Sequence, residues 1–401
     1  MRRSWVLRFT SLALAGWLAQ ACAPTTPNRA PPAATLPPVT PPGATGPTRV
    51  GLLLPLTGPQ AALGRQLFQA GQAAFFAGAD GTMMLLPRDT GGTPEGAAAA
   101  AQALAEEGVA IVAGPLFATE TRAAGPVLRA AGVPLLSFSS DRAAADTTLG
   151  GGTFVLGLLP EDQVQAVLRF LQASGASRIA VLGAEGEFAR AASDAARQFT
   201  ADAGLEPPLV ALYPPRGDAL GAIRRVLVPA QVGRGPPPPR PDTVLLTDSG
   251  QALRQTLTLL AAQPEADLPS LRLVGTAPWA ADASLPQDPS LAGAVFPAPE
   301  TGRTEAFART HAAMFGARPA AVSLVAYDAV AVAVATARGT GGRPVKLAAL
   351  TDGTGFQGAA GRLRLLPDGR NRRQMVIYQI APEGLRALGP APFDDQVAAL
   401  R

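Results

Sequence analysis

The sequence predicts an α/β fold built as two lobes, each a parallel sheet covered by helices. Three observations predict it. Short apolar runs alternate with stretches of helical periodicity through most of the chain, as in successive βα units. There are about ten such runs, too many for one small sheet, and about 350 residues after Thr48 suit two domains. Hydrophobic residues make up 47% of the 401, ample for two cores.

The N-terminus reads as an export signal. Arg2, Arg3 and Arg8 precede a mainly apolar core at 9–19, too short for a comfortable membrane span and suited to a secretory h-region. Ala19-Gln20-Ala21 is an A-x-A cleavage site, which makes 1–21 a signal peptide. Cys22 comes next and is the single cysteine, so no intramolecular disulfide is possible. Residues 22–48 are rich in Pro, Ala and Thr. They cannot bury enough surface to fold, and form an extended tether. Cys22 after the cleavage site resembles a bacterial lipobox, in which that thiol is acylated. The lipobox has Leu or a relative three residues before the Cys; here that place is Ala19, with Leu18 one step early.

The charge balance excludes a partner class. The net charge is +4, and basic residues are almost all Arg and scattered, Lys346 being the one lysine. No basic run interleaves with aromatics, so nucleic acid is not a partner.

The folded part begins with VGLLLP at 50–55, an apolar run of buried-strand length. A turn at Thr57-Gly58-Pro59 leads to Leu63, Leu67, Ala70 and Ala74 at helical spacing. A strand follows at 83–86. The helix at 94–107 opens with Pro94 and Glu95 and is closed by Gly108. Strand 109–113, helix 118–131 with Gly132 as its stop, and strand 134–138 come next. The rhythm continues with helix 161–173, strand 179–182, helix 188–203 ended by Gly204, and strand 209–212. Helix 219–227, strand 243–246, helix 251–261 and strand 271–274 complete it. Residues 233–241, GRGPPPPRP, form a proline-rich surface loop. From Val295 the pattern changes. Helices fit 304–315 and 321–337, and the second, apolar on nearly every side, should be deeply buried. Two strands at 361–366 and 374–380 then flank Pro367-Asp368-Gly369-Arg370 as a hairpin.

Enzyme chemistry fails on inspection. Asp89-Thr90-Gly91 and Asp248-Ser249-Gly250 are D-[TS]-G triplets like those of aspartic proteases, but each runs into a helix, whereas those enzymes are almost all β. His311 is the sole histidine, placed on an exposed helical position, and no G-x-S-x-G elbow accompanies it. No His/Cys cluster suits a metal. The Gly-rich DTGGTPEG lacks the Lys-Ser/Thr of a P-loop and the spacing of a dinucleotide fingerprint. No cofactor is implied.

LLPLTGPQAALG, LLPRDTGGTPEGAAAAAQAL, IVAGPLFATETRAAGPVLRAAGVPLLSFSSD and GFQGAAGRLRLLPDGR occur in order from 48 to 380. Together they resemble the landmarks of the type I periplasmic binding proteins, the leucine-binding-protein family. DTGGTPEGA and GPLFATETRA give the closest likeness to its penicillin-binding protein activators. The resemblance implies two Rossmann-like lobes, three crossovers and a ligand cleft between them. Lobe I would comprise 49–157 and 298–367, and lobe II 158–297 and 368–401. It also implies a non-enzymatic role outside the cytoplasm.

The same resemblance points to cleft residues. In the family, hydroxyls and amides of two lobe I loops hold amino-acid ligands; here these carry Thr119, Thr121, Ser139 and Ser140. Such residues are also ordinary helix caps and turn formers. Asp89 ends a neighbouring strand and either faces the cleft or caps the next turn. On lobe II, Phe188 fits an aromatic wall. The family's acid that pairs with the ligand ammonium is missing, with Ala277 near its place, and Asp248 is the available substitute. A buried ammonium without a counter-charge is costly.

Two functions follow. One is an envelope lipoprotein that docks onto a peptidoglycan synthase and activates it. The other is a receptor that delivers an amino acid or small amide to the permease of an ABC importer. Both place the protein in the periplasm, held to a membrane by acylated Cys22. Cys22→Ala should therefore move the protein from the membrane to the soluble fraction on cell fractionation; an already soluble, unacylated wild type would refute the anchor.

Overall fold

The computed structural model describes residues 46–148, 152–228 and 239–391. The signal peptide, Cys22, nearly all of the tether and most of the proline-rich loop lie outside the described residues. Among those described, no helix is long and apolar enough to cross a membrane.

Lobe I starts with β1 (Thr48–Leu54), α1 (Ala61–Gly78), β2 (Met83–Asp89), α2 (Pro94–Glu106), β3 (Ile111–Ala113), α3 (Ala118–Ala130), β4 (Leu135–Ser137) and β5 (Thr153–Val155). The strands form a parallel sheet in the order β2-β1-β3-β4-β5. Alternate side chains of β1 leave on opposite faces. Val50, Leu52 and Leu54 enter one core, and Leu53 joins Val112 and Leu135 under α2 and α3 in another. This is why β1 reads as a continuous apolar run rather than an alternating one.

The chain crosses to lobe II for α4 (Pro160–Gln172), β6 (Ile179–Ala184), α5 (Glu187–Asp202), β7 (Leu209–Tyr213), α6 (Leu220–Leu227), β8 (Thr243–Leu246), α7 (Gly250–Ala261), β9 (Arg272–Val274) and β10 (Val295–Ala298). Trp279 is buried at the centre of this lobe, its ring centroid 6.0 Å from that of Phe296. Gly275 makes room for it: a Cβ there would sit 2.1 Å from Trp279 Cδ2.

A second crossing returns α8 (Thr301–Phe315), α9 (Ser323–Ala337), α10 (Leu347–Leu350), β11 (Phe356–Gly358), β12 (Gly361–Leu365) and β13 (Asn371–Arg373) to lobe I. α9 is buried, as its all-round apolarity implies. It lies tight on α1 because Gly71 and Gly78 carry no side chain. Added Cβ atoms there would be 3.3 Å from Val330 Cγ2 and 3.2 Å from Val334 Cγ1. A third crossing brings in β14 (Val376–Ala381) and β15 (Gly384–Pro390), antiparallel to each other, with β14 antiparallel to β10. The lobe II sheet runs β15-β14-β10-β9-β8-β6-β7.

Two expectations are corrected. The hairpin at 361–380 is divided. β12 pairs with the short β13, Leu363 opposite Arg373, whereas β14 belongs to the other lobe, Tyr378 opposite Phe296. The third crossover therefore falls at Gln374–Met375, not after Pro367. The cause is chemical. Arg373 bonds to Asp328 inside lobe I, while Ile377, Tyr378 and Ile380 are buried among lobe II side chains. His311 is also not exposed. It is 1% exposed, with Nδ1 3.0 Å from the Ala317 carbonyl and its ring 4.8 Å from that of Phe315.

Asp328 is the one charge on α9, and it is wholly buried. Its Oδ1 accepts from the Ala359 amide at 2.6 Å and its Oδ2 accepts from Arg373 Nη1. Side-chain exposures are 2% for Arg373 and 0% for Asp328. Gly358 clears the space, since a Cβ there would lie 2.3 Å from Asp328 Oδ1. Removing one partner strands the other charge in the core. Asp328→Ala should cost about 3–5 kcal/mol in denaturant unfolding, and Asp328→Leu with Arg373→Met should recover most of it. A loss under about 1 kcal/mol in the single variant would show that the pair does not hold the crossover.

Candidate ligand-binding site

Parallel strands present their carboxyl ends, and the loops after them, to the same side of a sheet. In lobe I the loops after β3 and β4 therefore lie together, and with the starts of α4 and α5 they line a cleft of about 720 Å³. Leu116, Phe117 and Phe138 from lobe I and Phe188 from lobe II give it apolar walls, and Val322 closes one side. Ser139, Ser140, Asp141 and Arg142 add polar groups from lobe I; Glu161 and Glu187 add acids from the first turns of α4 and α5.

The structure brings Ser139, Ser140 and Phe188 to this cleft. Ser139 Oγ accepts from the Asp141 amide at 3.0 Å, which leaves its proton free to donate. Ser140 is exposed and Phe188 half-buried. Thr119 is exposed on the first turn of α3, next to the lining residue Ala118 but outside the lining itself.

Thr121, Asp89 and Asp248 are engaged elsewhere. Thr121 is 1% exposed; its hydroxyl donates to the Phe117 carbonyl at 2.9 Å and meets Ser137 Oγ at 2.6 Å. It ties the first turn of α3 to β4. Asp89 clasps two loops. Its Oδ1 accepts from the amides of Leu56 at 2.8 Å, Thr57 at 3.2 Å and Gly91 at 2.8 Å, and Oδ2 accepts from the Thr57 hydroxyl at 2.6 Å. Burial works to raise its pKa, but these donors outweigh it and hold the carboxyl below the usual range. Nor does Asp89 cap α2; Thr93 does, accepting from the Gly96 amide at 3.0 Å. Asp248 is a buried strut in lobe II. It accepts from the Ala184 amide at 2.7 Å, the Tyr213 hydroxyl at 2.5 Å and the Thr256 hydroxyl at 2.8 Å. Burial and the bond to Asp248 push the Tyr213 hydroxyl up to about 12. A carboxylate so occupied is not available to a ligand ammonium, so the lobe II substitution expected of Asp248 does not hold.

Arg142, Glu161 and Glu187 are cleft residues that sequence reasoning missed. Acids in a first helical turn ordinarily complement the helix dipole, so Glu161 and Glu187 gave no separate signal. No group of His, Cys, Asp and Glu among the described residues has the geometry to hold a metal.

A second cavity, of about 510 Å³, lies between α4, α5 and the β13–β14 crossover and shares Arg142, Glu161 and Ala191 with the cleft. Asp162 lines it. Burial pushes the Asp162 carboxyl up to about 6, against the opposing pull of Arg372 and Arg370. A carboxyl whose pKa is higher folded than unfolded contributes less as pH rises between the two values. Asp162→Asn should therefore be neutral below about pH 4 and more stable than wild type by about 1–3 kcal/mol at pH 8. Urea unfolding at the two pH values reads this; equal stability of the variant and wild type at pH 8 would contradict it.

Two α/β lobes joined by three crossovers, with a solute-sized cleft between them, define a two-lobed binding protein. The model of the periplasmic binding protein family matches residues 47–384, and the chain belongs to that family. A comparison of the sequence with curated proteins finds no match. Solved structures share the fold. A putative branched-chain amino acid ABC transporter protein from Rhodospirillum rubrum superposes with a TM-score of 0.68 at 20% identity, covering 85% of this chain and 100% of its own. An R. palustris solute binding protein in complex with 4-hydroxybenzoate gives 0.64 at 17% identity, covering 88% and 99%. The branched-chain amino acid binding protein LivJ from Streptococcus pneumoniae, in complex with isoleucine, gives 0.60 at 17% identity, covering 86% and 100%. The likeness to the leucine-binding, type I branch thus holds for the fold.

Proposed function

We propose that this protein is the extracytoplasmic solute receptor of an ABC importer and performs no chemistry itself. It captures a small carboxylate with an apolar body and hands it to a membrane permease, tethered there by acylated Cys22. The observation that carries this is the composition of the cleft: donors at Ser139 and Ser140 set against Phe117, Phe138 and Phe188. Isoleucine and 4-hydroxybenzoate, held by the two structural relatives, both join a carboxylate to an apolar body. The peptidoglycan-synthase reading, suggested by DTGGTPEGA and GPLFATETRA, draws no support from these comparisons, and docking onto a synthase requires no such cleft.

Closure of the lobes would replace the ligand's water shell with these hydroxyls. A hydrogen bond to a charged group contributes about 1.5–3 kcal/mol, or roughly one to two decades in affinity. In a screen of amino acids and aromatic carboxylates, at least one should raise the melting temperature of wild type, because ligand bound only by the native state stabilises it. Ser139→Ala with Ser140→Ala should weaken that ligand by roughly ten- to a hundredfold and leave the unliganded melting temperature nearly unchanged. No stabilising ligand in the screen would return the synthase-docking reading to the lead.

A further inference from the structure

Only one end of the Arg373 guanidinium is used within the protein. Its Nη1 donates to Asp328 Oδ2. Its Nε and Nη2 are buried and have no hydrogen-bond partner, and the side chain is 2% exposed. The N–H of Nε and one N–H of Nη2 lie side by side on one edge of the planar group. That edge is a two-pronged donor that matches two oxygens of a carboxylate or a phosphate. Donors of a charged group withdrawn from water and left unpaired are unfavourable, and an oxyanion on this edge removes that cost.

Arg373 lines the cavity of about 510 Å³ between α4, α5 and the β13–β14 crossover, and Arg372 and Arg142 line it too. α4 opens onto the same cavity. Glu161 and Asp162 of its first turn are lining residues, and no side chain caps that helix end. A helix N-terminus favours an anion, so a second observation, independent of Arg373, points the same way. The acids of the cavity do not supply that anion. Glu161 Oε2 is itself buried and unpartnered, so it does not bond to Arg373. The charge of Arg370 acts on Glu161 and Asp162, and that of Arg372 acts on Asp162. Asp194 is paired with Arg197, and Asp202 accepts from Gln198.

We propose that this cavity is a second, effector site for a small carboxylate or phosphate, held between the Nε–Nη2 edge of Arg373 and the start of α4. The inference goes beyond the receptor reading and does not rest on it. Arg373 belongs to lobe I and α4 to lobe II, so the anion bridges the lobes beside the third crossover. A bridging ligand favours the arrangement of the lobes in which both of its partners are in reach. Glu161 opposes the anion with a like charge, which gives the site a second handle.

The test is calorimetric titration with inorganic phosphate, succinate and chloride at fixed ionic strength. Phosphate or succinate should bind wild type about tenfold or more tighter than chloride, which has no pair of oxygens for the fork. The tighter of the two tells phosphate from carboxylate. Arg373→Lys keeps a charge beside Asp328 but removes the fork, and should weaken that oxyanion by about tenfold or more. Glu161→Gln removes the like charge and should tighten it by about threefold or more. That variant leaves the Asp328 pair untouched and carries the test if the melting temperature shows Arg373→Lys to be unfolded. Ser139→Ala with Ser140→Ala should leave the oxyanion within about threefold of wild type. Four results would overturn the inference: no saturable binding of either oxyanion to wild type, undiminished binding in a folded Arg373→Lys, loss of binding in the serine variant, or binding seen only in Glu161→Gln. The third would place the ion in the main cleft, and the fourth would assign the Arg373 edge to Glu161. The receptor reading is decided separately, by the screen of cleft ligands.

Discussion

The Asp328–Arg373 pair is the constraint on which the arrangement of the lobes depends. Two charges without water are tolerable only when they meet, because desolvation otherwise exceeds any packing gain. Asp328 sits mid-way along a helix that is otherwise apolar and buried. Arg373 ends β13, immediately before the crossover at Gln374–Met375 that leads into β14 of lobe II. Their bond therefore pins the last crossover against the most deeply buried helix of lobe I. Gly358 and the Ala359 amide complete the pocket around Asp328. The pair specifies where the chain crosses, whatever its net contribution to stability.

From that pin the cleft follows. The chain crosses between lobes after β5, after β10 and after β13. Each crossing joins a loop of one sheet to an element of the other. The β5–α4 crossing carries Pro160 and Glu161 into the cleft, and the return through α8 and α9 places Val322 at its edge. The side chains lining each side of the cleft thus stand at positions set by strand ends and helix starts. Such elements are more rigid than free loops and hold a ligand at less entropic cost.

Polar residues near the cleft divide by what they already bond. Thr121 and Asp248 have the chemistry of ligand contacts, yet both are buried and satisfied from within their own lobes. Asp89 is exposed but spends its carboxylate on backbone amides and Thr57. Ser139 keeps a free proton and Ser140 an exposed hydroxyl. Hydrogen-bonding capacity left over after folding is what a ligand can use, and that remainder is a property of packing.

The sequence by itself determined the α/β class, the strand and helix order, and the burial of α9. These rest on apolar periodicity and on local stops such as Gly108, Gly132 and Gly204, each at positive φ in the structure, and neither depends on distant contacts. It also located the loops that carry Ser139, Ser140 and Phe188. Only the tertiary structure decided which side of those loops faced the cleft. Thr119 and Thr121 are two residues apart on one helix, yet one is exposed and the other is bonded to Ser137. The sequence places one strand at 374–380 and the lobe boundary after 367; that Asn371–Arg373 stays with lobe I as β13 is decided by Asp328, far away in the chain. Glu161 read as an ordinary first-turn acid. That it lines the cleft with a buried, unpartnered Oε2 depends on which groups surround it in space, which no run of residues can display.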